Sequence, residues 1–192
     1  MPMLVSSPVF DVLFKLAGWK LVGEVPRDLK KALVIVCPHA TWKDFIVGLG
    51  ARSLLRIPIL FWGKKELFDG PFGGIFTWLG GYPVNRGTKS NLVDSIVDIY
   101  NAKESFYAVL APEGTRKDVQ ELKTGFYYIA DGAKVPLIMI GFDFVNKEIK
   151  IREPYYTTGD FQKDKVDIAR YYQTIPGVQK SWIKNYLAEA AE

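Results

Sequence analysis

The chain has 192 residues, 48% of them hydrophobic and 24% charged, enough for one domain with a substantial core and too short for two of ordinary size. A net charge of +4 is too slight for a nucleic-acid-binding composition, and eleven prolines with seventeen glycines show no collagen-like period or low-complexity block. One cysteine and one histidine exclude an internal disulfide and a structural zinc site.

Taken in chain order, the first element is a short amphipathic helix within residues 1–18. Val9, Phe10, Val12, Leu13, Phe14 and Leu16 are interrupted there by Asp11 and Lys15, a pattern that suits packing on the domain or lying in a lipid interface. These first residues carry no signal-peptide pattern, and no stretch reaches the roughly 18 apolar residues of a membrane-spanning helix. The run 32–37, stopped by Pro38, reads as a strand buried on both faces. Residues 42–55 read as a helix with Ile46, Leu49, Ser53 and Leu54 on one face, and 58–62 as a second buried strand. The glycine- and aromatic-rich stretch 70–81 reads as turns around a short helix, followed by a short strand at 82–85.

Residues 88–102 form an amphipathic helix with Leu92, Ile96 and Ile99 inward, and 105–111 a strand stopped by Pro112. A helix at 122–132, a strand at 135–142, an edge strand at 149–151 and a largely helical tail over 166–191 complete the pattern. Strand–helix alternation predicts an α/β fold, a mostly parallel central sheet with helices on both faces. The expected organisation is a single domain over 1–192: the amphipathic start, a motif-bearing core at 19–142, and a carboxyl-terminal strand with helices at 143–192.

Ligands of open α/β sheets bind outside the carboxyl ends of the strands, so the polar clusters that follow the apolar runs carry the functional reading. In the first cluster His39 is followed five residues later by Asp44. On one continuous helix that offset is about 140°, so the two meet only if His39 lies in the loop and Asp44 in the first helical turn. A carboxylate there holds one imidazole nitrogen and leaves the other free for a proton. Thr41 and Asp44 also have capping-box spacing, which is compatible with that role. The second cluster, Gly80 to Gly87 with Lys64 and Lys65 upstream, supplies Arg86, whose planar fork suits a phosphate. The third, Pro112-Glu113-Gly114-Thr115-Arg116-Lys117, has a permissive glycine beside three oxyanion donors but not the spacing of a P-loop.

Together these blocks resemble the glycerolipid acyltransferase superfamily, the glycerol-phosphate and lysophosphatidic acid acyltransferases. Its H-x-x-x-x-D motif is matched by His39 and Asp44, its arginine-ended block by Gly80 to Arg86, and its P-E-G-T-R block by Pro112 to Arg116. A later proline-containing apolar strand is matched by Val135 to Ile138, and the likeness spans about residues 19–142, in the family's order. Where the family often has Asn before the histidine and Phe before P-E-G, this chain has Pro38 and Ala111.

The resemblance implies transfer of a fatty acyl group from acyl-CoA or acyl carrier protein to the hydroxyl of a lysophospholipid-type acceptor in phospholipid biosynthesis. His39 would be the base and Asp44 its orienting partner. Arg86 and Arg116, with Lys64 as a weaker candidate, would bind the acceptor phosphate. Glu113, Gly114 and Thr115 would shape the loop beside it. The expected partners are the thioester donor, the lysolipid acceptor and an anionic membrane touched peripherally. Neither nucleic acid, a metal nor a resident cofactor is expected. The expected setting is cytoplasmic, at the inner face of the cell membrane. An aromatic-rich segment from Phe61 to Trp78 suits an acyl channel or an interfacial patch. Two rivals remain at this level: a thioester hydrolase using Cys37 as nucleophile, and a non-catalytic lipid-binding protein of the same fold.

Overall fold

A computed structural model describes residues 6–84, 89–177 and 179–190, with the backbone alone at Lys64 and at residues 89–91. Helix α1 (Pro8–Leu16) opens on a Ser7 cap with proline in its first turn, where a missing N–H costs nothing. Then follow β1 (Lys20–Val22), β2 (Lys31–Val36), α2 (Lys43–Leu55), β3 (Ile59–Lys64), two short helices α3 (Glu66–Asp69) and α4 (Gly73–Trp78), and β4 (Gly81–Val84). The chain continues through α5 (Lys89–Ala102), β5 (Phe106–Leu110), α6 (Gly125–Ala133), β6 (Leu137–Asp143), β7 (Glu148–Ile151), α7 (Phe161–Gln173) and α8 (Ser181–Glu189).

Among the described residues seven strands form one sheet in the order β1-β7-β6-β2-β5-β3-β4. Strands β6, β2, β5, β3 and β4 run parallel, while β7 is antiparallel to β6 and parallel to β1. The fold is therefore α/β with a mostly parallel sheet, as the alternation predicts. The 149–151 strand is not at the edge, however: β1, three residues long and too short to announce itself, pairs beyond it.

Strand β2 feeds both cores by simple alternation. Leu33, Ile35 and Cys37 pack against α5, α6, α7 and α8 through Ile96, Tyr100, Tyr127, Ile168, Tyr172 and Trp182. Ala32 and Val34 face the other way, toward Phe14 of α1 and Val47, Ala51 and Leu55 of α2. The buried stripe of α2 thus runs through Asp44, Val47, Ala51 and Leu55, while Ile46 is exposed, so the face read from the sequence is rotated. The helix carries apolar side chains nearly all round, and its own pattern cannot select the inward side.

Helix α1 settles on α2 where Gly50 leaves room. A Cβ at residue 50 would lie 2.1 Å from the Phe14 ring. The buried Ser53 hydroxyl donates to Asp11 at 2.6 Å and accepts from the Ser7 amide at 2.9 Å, fastening the start of the helix. One stripe of α1 is thereby docked, while Val9, Val12, Leu13 and Leu16 stay exposed. Among the described residues no helix is long and apolar enough to cross a membrane.

Candidate active site

The site lies at the carboxyl ends of the neighbouring parallel strands β2 and β5. After β2 the backbone passes through a cis Cys37–Pro38 bond into a short loop, and Asp44 is the second residue of α2. His39 Nδ1 stands 2.9 Å from Asp44 Oδ2. The same carboxylate oxygen accepts the Ala40 and Thr41 amides at 2.8 Å each, and Thr41 Oγ1 donates to Oδ1 at 3.3 Å. Asp44 therefore holds the imidazole and satisfies two loop amides at once, although α2 itself starts after Trp42 with no side-chain cap. Burial works to raise the pKa of Asp44, but the hydrogen bonds from His39, Thr41 and Ala40 outweigh it and hold the carboxyl below its usual range. With Nδ1 engaged, Nε2 of a ring whose side chain is 23% exposed is the nitrogen left for chemistry.

Beside this pair a cavity of about 420 Å³ runs between α2 and the sheet. His39, Asp44 and Arg116 contribute its polar groups at one end, and its walls are mainly apolar, with Val34, Val36, Leu49, Leu55, Phe61, Val109 and Phe142 among them. Phe61 and Trp62, from the aromatic-rich segment, line it as well. The buried Arg52 reaches it eight residues along α2 from Asp44, about 12 Å of helix. Its Nη1 donates to the carbonyls of Leu79 (2.6 Å) and Ile59 (3.4 Å), and among the described residues its Nε has no hydrogen-bond partner.

The expected substrate contacts divide once seen in space. Arg116 is exposed and lines the cavity with His39 and Asp44. Gly114 adopts a φ of +64°, which a side chain resists, and Thr115 Oγ1 accepts the Lys117 amide at 3.2 Å, so both serve the turn. Glu113 is 1% exposed, and its carboxylate is turned beneath the loop rather than into the cavity. Its Oε2 accepts the His39 amide at 2.7 Å and its Oε1 the Trp182 indole at 2.9 Å. Burial pushes the Glu113 pKa up, against the opposing pull of those donors and of Lys180 and His39. Lys64 ends β3 with its backbone opposite Val84, but its side chain and the whole of Arg86 lie outside the described residues.

Two residues that sequence reasoning did not mark complete the surroundings. Lys180 is buried with its Nζ beside Glu113, and Trp182 holds that carboxylate. Both come from the carboxyl-terminal region, where a single lysine before an amphipathic helix gives no local signal. Cys37 is fully buried among the residues facing α7 and α8, and burial pushes its thiol pKa well up. It does not line the cavity that His39 borders, although an offset of two along a regular strand would put both side chains on one face.

The acyltransferase family model matches residues 20–143. Human 1-acyl-sn-glycerol-3-phosphate acyltransferase beta is 29% identical over 143 residues, 70% of this chain and 50% of that protein. The chain thus spans about half the length of this curated relative. The crystal structure of the 1-acyl-sn-glycerophosphate (LPA) acyltransferase PlsC from Thermotoga maritima shares the fold with a TM-score of 0.54 at 17% identity, over 95% of this chain and 77% of that one.

Proposed function

The chain belongs to the acyltransferase family, and on that premise we propose that it transfers a fatty acyl group from acyl-CoA or acyl carrier protein to the hydroxyl of a lysophospholipid-type acceptor such as 1-acylglycerol-3-phosphate. One observation carries the reading: an imidazole hydrogen-bonded to a buried carboxylate stands at an apolar cavity that Arg116 also borders. The cavity offers a dry place for a hydrocarbon chain, and the arginine offers charge for a phosphate.

The acceptor hydroxyl gives its proton to His39 Nε2 as its oxygen attacks the thioester carbonyl carbon. Asp44 stabilises the imidazolium that forms and keeps the ring in one tautomer. When the tetrahedral intermediate collapses, the C–S bond breaks and the imidazolium proton goes to the departing thiolate. Ester and thiol are the products. No metal or resident cofactor enters this scheme, because the thioester arrives already activated. Arg116, joined by Arg86 and Lys64, binds the acceptor phosphate.

The acceptor lives in a membrane, and the exposed apolar side chains of α1, with Trp42, Phe45 and Ile46 near the site, suit a peripheral seat on an anionic bilayer at the cytoplasmic face of the cell membrane.

The test is incubation of the purified protein with labelled acyl-CoA or acyl carrier protein and 1-acylglycerol-3-phosphate, scoring diacyl product against released thiol. His39→Ala is expected to lower kcat/KM by about 10² to 10⁴-fold, Asp44→Asn to lower kcat, and Cys37→Ala to keep activity. Thiol release without ester, together with a dead Cys37→Ala, would instead mark a hydrolase. Tight lipid binding with no turnover of any donor would mark a binding protein.

A further inference from the structure

The loop that carries His39 is held from the carboxyl-terminal region of the chain. Lys180 is 3% exposed, and its Nζ donates to the carbonyl of His39 at 3.1 Å and to those of Arg116 and Lys117 at 3.2 Å each. Three acceptors satisfy the three protons of an ammonium. Glu113 Oε1 lies 3.8 Å away and is itself held by the Trp182 indole, while Glu113 Oε2 accepts the His39 amide. Residue 39 is therefore gripped at both its N–H and its C=O. One cation also ties it to the backbone of Arg116, the other polar residue at the cavity.

A buried ammonium is expensive to desolvate, and an apolar side chain of similar length would stabilise a plain packing contact at lower cost. Other contacts also dock α8. Asp118 accepts the Ser181 amide at 2.9 Å and the Ser181 hydroxyl at 2.5 Å, Tyr186 accepts the Leu122 amide at 2.8 Å, and Asn185 donates to the Gln120 carbonyl at 3.0 Å. The charge is spent on the two loops of the site.

We infer that Lys180, acting with Glu113 and Trp182, is the positioning residue that fixes His39 and Arg116 at their working separation. The inference rests on the transfer reading above and deepens it. It places a determinant of the reaction outside the 20–143 stretch that carries the family likeness.

The experiment compares Lys180→Met, Trp182→Phe and, as a stability control that loses a hydrogen bond to Asp164 away from the loops, Tyr155→Phe, each assayed well below its melting temperature. Lys180→Met is expected to lower kcat about 100-fold, the scale of a small misplacement of reacting groups, with KM for the donor within about twofold of the parent. Trp182→Phe should follow in the same direction by less, and Tyr155→Phe should keep the parent kcat. Because the chain has one histidine, carbethoxylation reads His39 directly. Its rate should rise severalfold in Lys180→Met and Trp182→Phe only. Parent-like kcat and carbethoxylation in folded Lys180→Met overturn the inference, as does an equal loss in the control. If Lys180→Met does not fold, parent-like values in Trp182→Phe overturn it instead. Should the parent itself transfer no acyl group, the transfer reading fails, and carbethoxylation alone still decides whether Lys180 holds His39.

Discussion

Asp44 and Asp164 show how one residue type reaches two ends by the same physics. Each is buried, and each is kept ionised by donors the fold brings to it. Asp164 accepts Tyr127 Oη at 2.7 Å, Tyr155 Oη at 2.8 Å and the Thr158 amide at 2.7 Å. Burial would raise its pKa, but these hydrogen bonds outweigh it and lower the value from 3.8. A depressed carboxyl stabilises the folded state above its unfolded pKa, and that contribution is lost as pH falls through the folded value. Asp164 is not part of the site. Asp164→Asn should therefore cost about 1 to 3 kcal/mol at pH 7 and leave acyl transfer unchanged. The gap to the parent should narrow below pH 3.8, measured by denaturant unfolding at pH 7 and pH 3. An unchanged gap at pH 3 would mean that the carboxylate is not what these hydroxyls recognise.

At the scale of elements, α1 is both packed and exposed, an outcome its amphipathic pattern alone leaves open. Phe14 fills the space above Gly50, while Val9, Val12 and Leu13 stay more than half exposed and Leu16 is 80% exposed. Gly50→Ala would set a methyl group against the Phe14 ring, and its neighbours on α2, Ala51 and Arg52, are themselves buried. Overpacking of this kind costs about 1 to 3 kcal/mol. The expected result is a lower melting temperature with faster proteolysis in the segment joining α1 to β1. Unaltered protection of that segment would show that α1 does not depend on this contact.

Over the whole molecule, the exposed side chains of α1 and the +4 charge give the proposed membrane seat two separable parts. Burial of apolar side chains resists salt, whereas attraction to anionic lipid is screened within about 10 Å at 0.1 M. Sedimentation with vesicles of anionic lipid should capture the protein better than neutral vesicles, and added salt should reduce the difference. The double substitution Leu13→Glu, Leu16→Glu should weaken capture by both vesicle types while leaving the melting temperature nearly unchanged. Equal capture of parent and variant would remove α1 from the membrane contact.

Much of the architecture is legible in the chain itself because it is written locally. The runs around Leu33, Val109 and Ile138 are long enough and apolar enough to be central parallel strands, and the order of the polar blocks after them places chemistry at one end of a sheet. The His39–Asp44 pairing is readable for the same reason, since loop and first helical turn are adjacent in sequence. Folding decided what depends on distant segments. Which face of α2 turns inward, β1 joining beyond β7, Glu113 turning under the loop, and Lys180 arriving some 140 residues later to grip His39 all follow from tertiary packing. A period of 3.6 or 2 records which residues share a face, but the partner across that face is chosen only when the layers close and most buried polar atoms find a match.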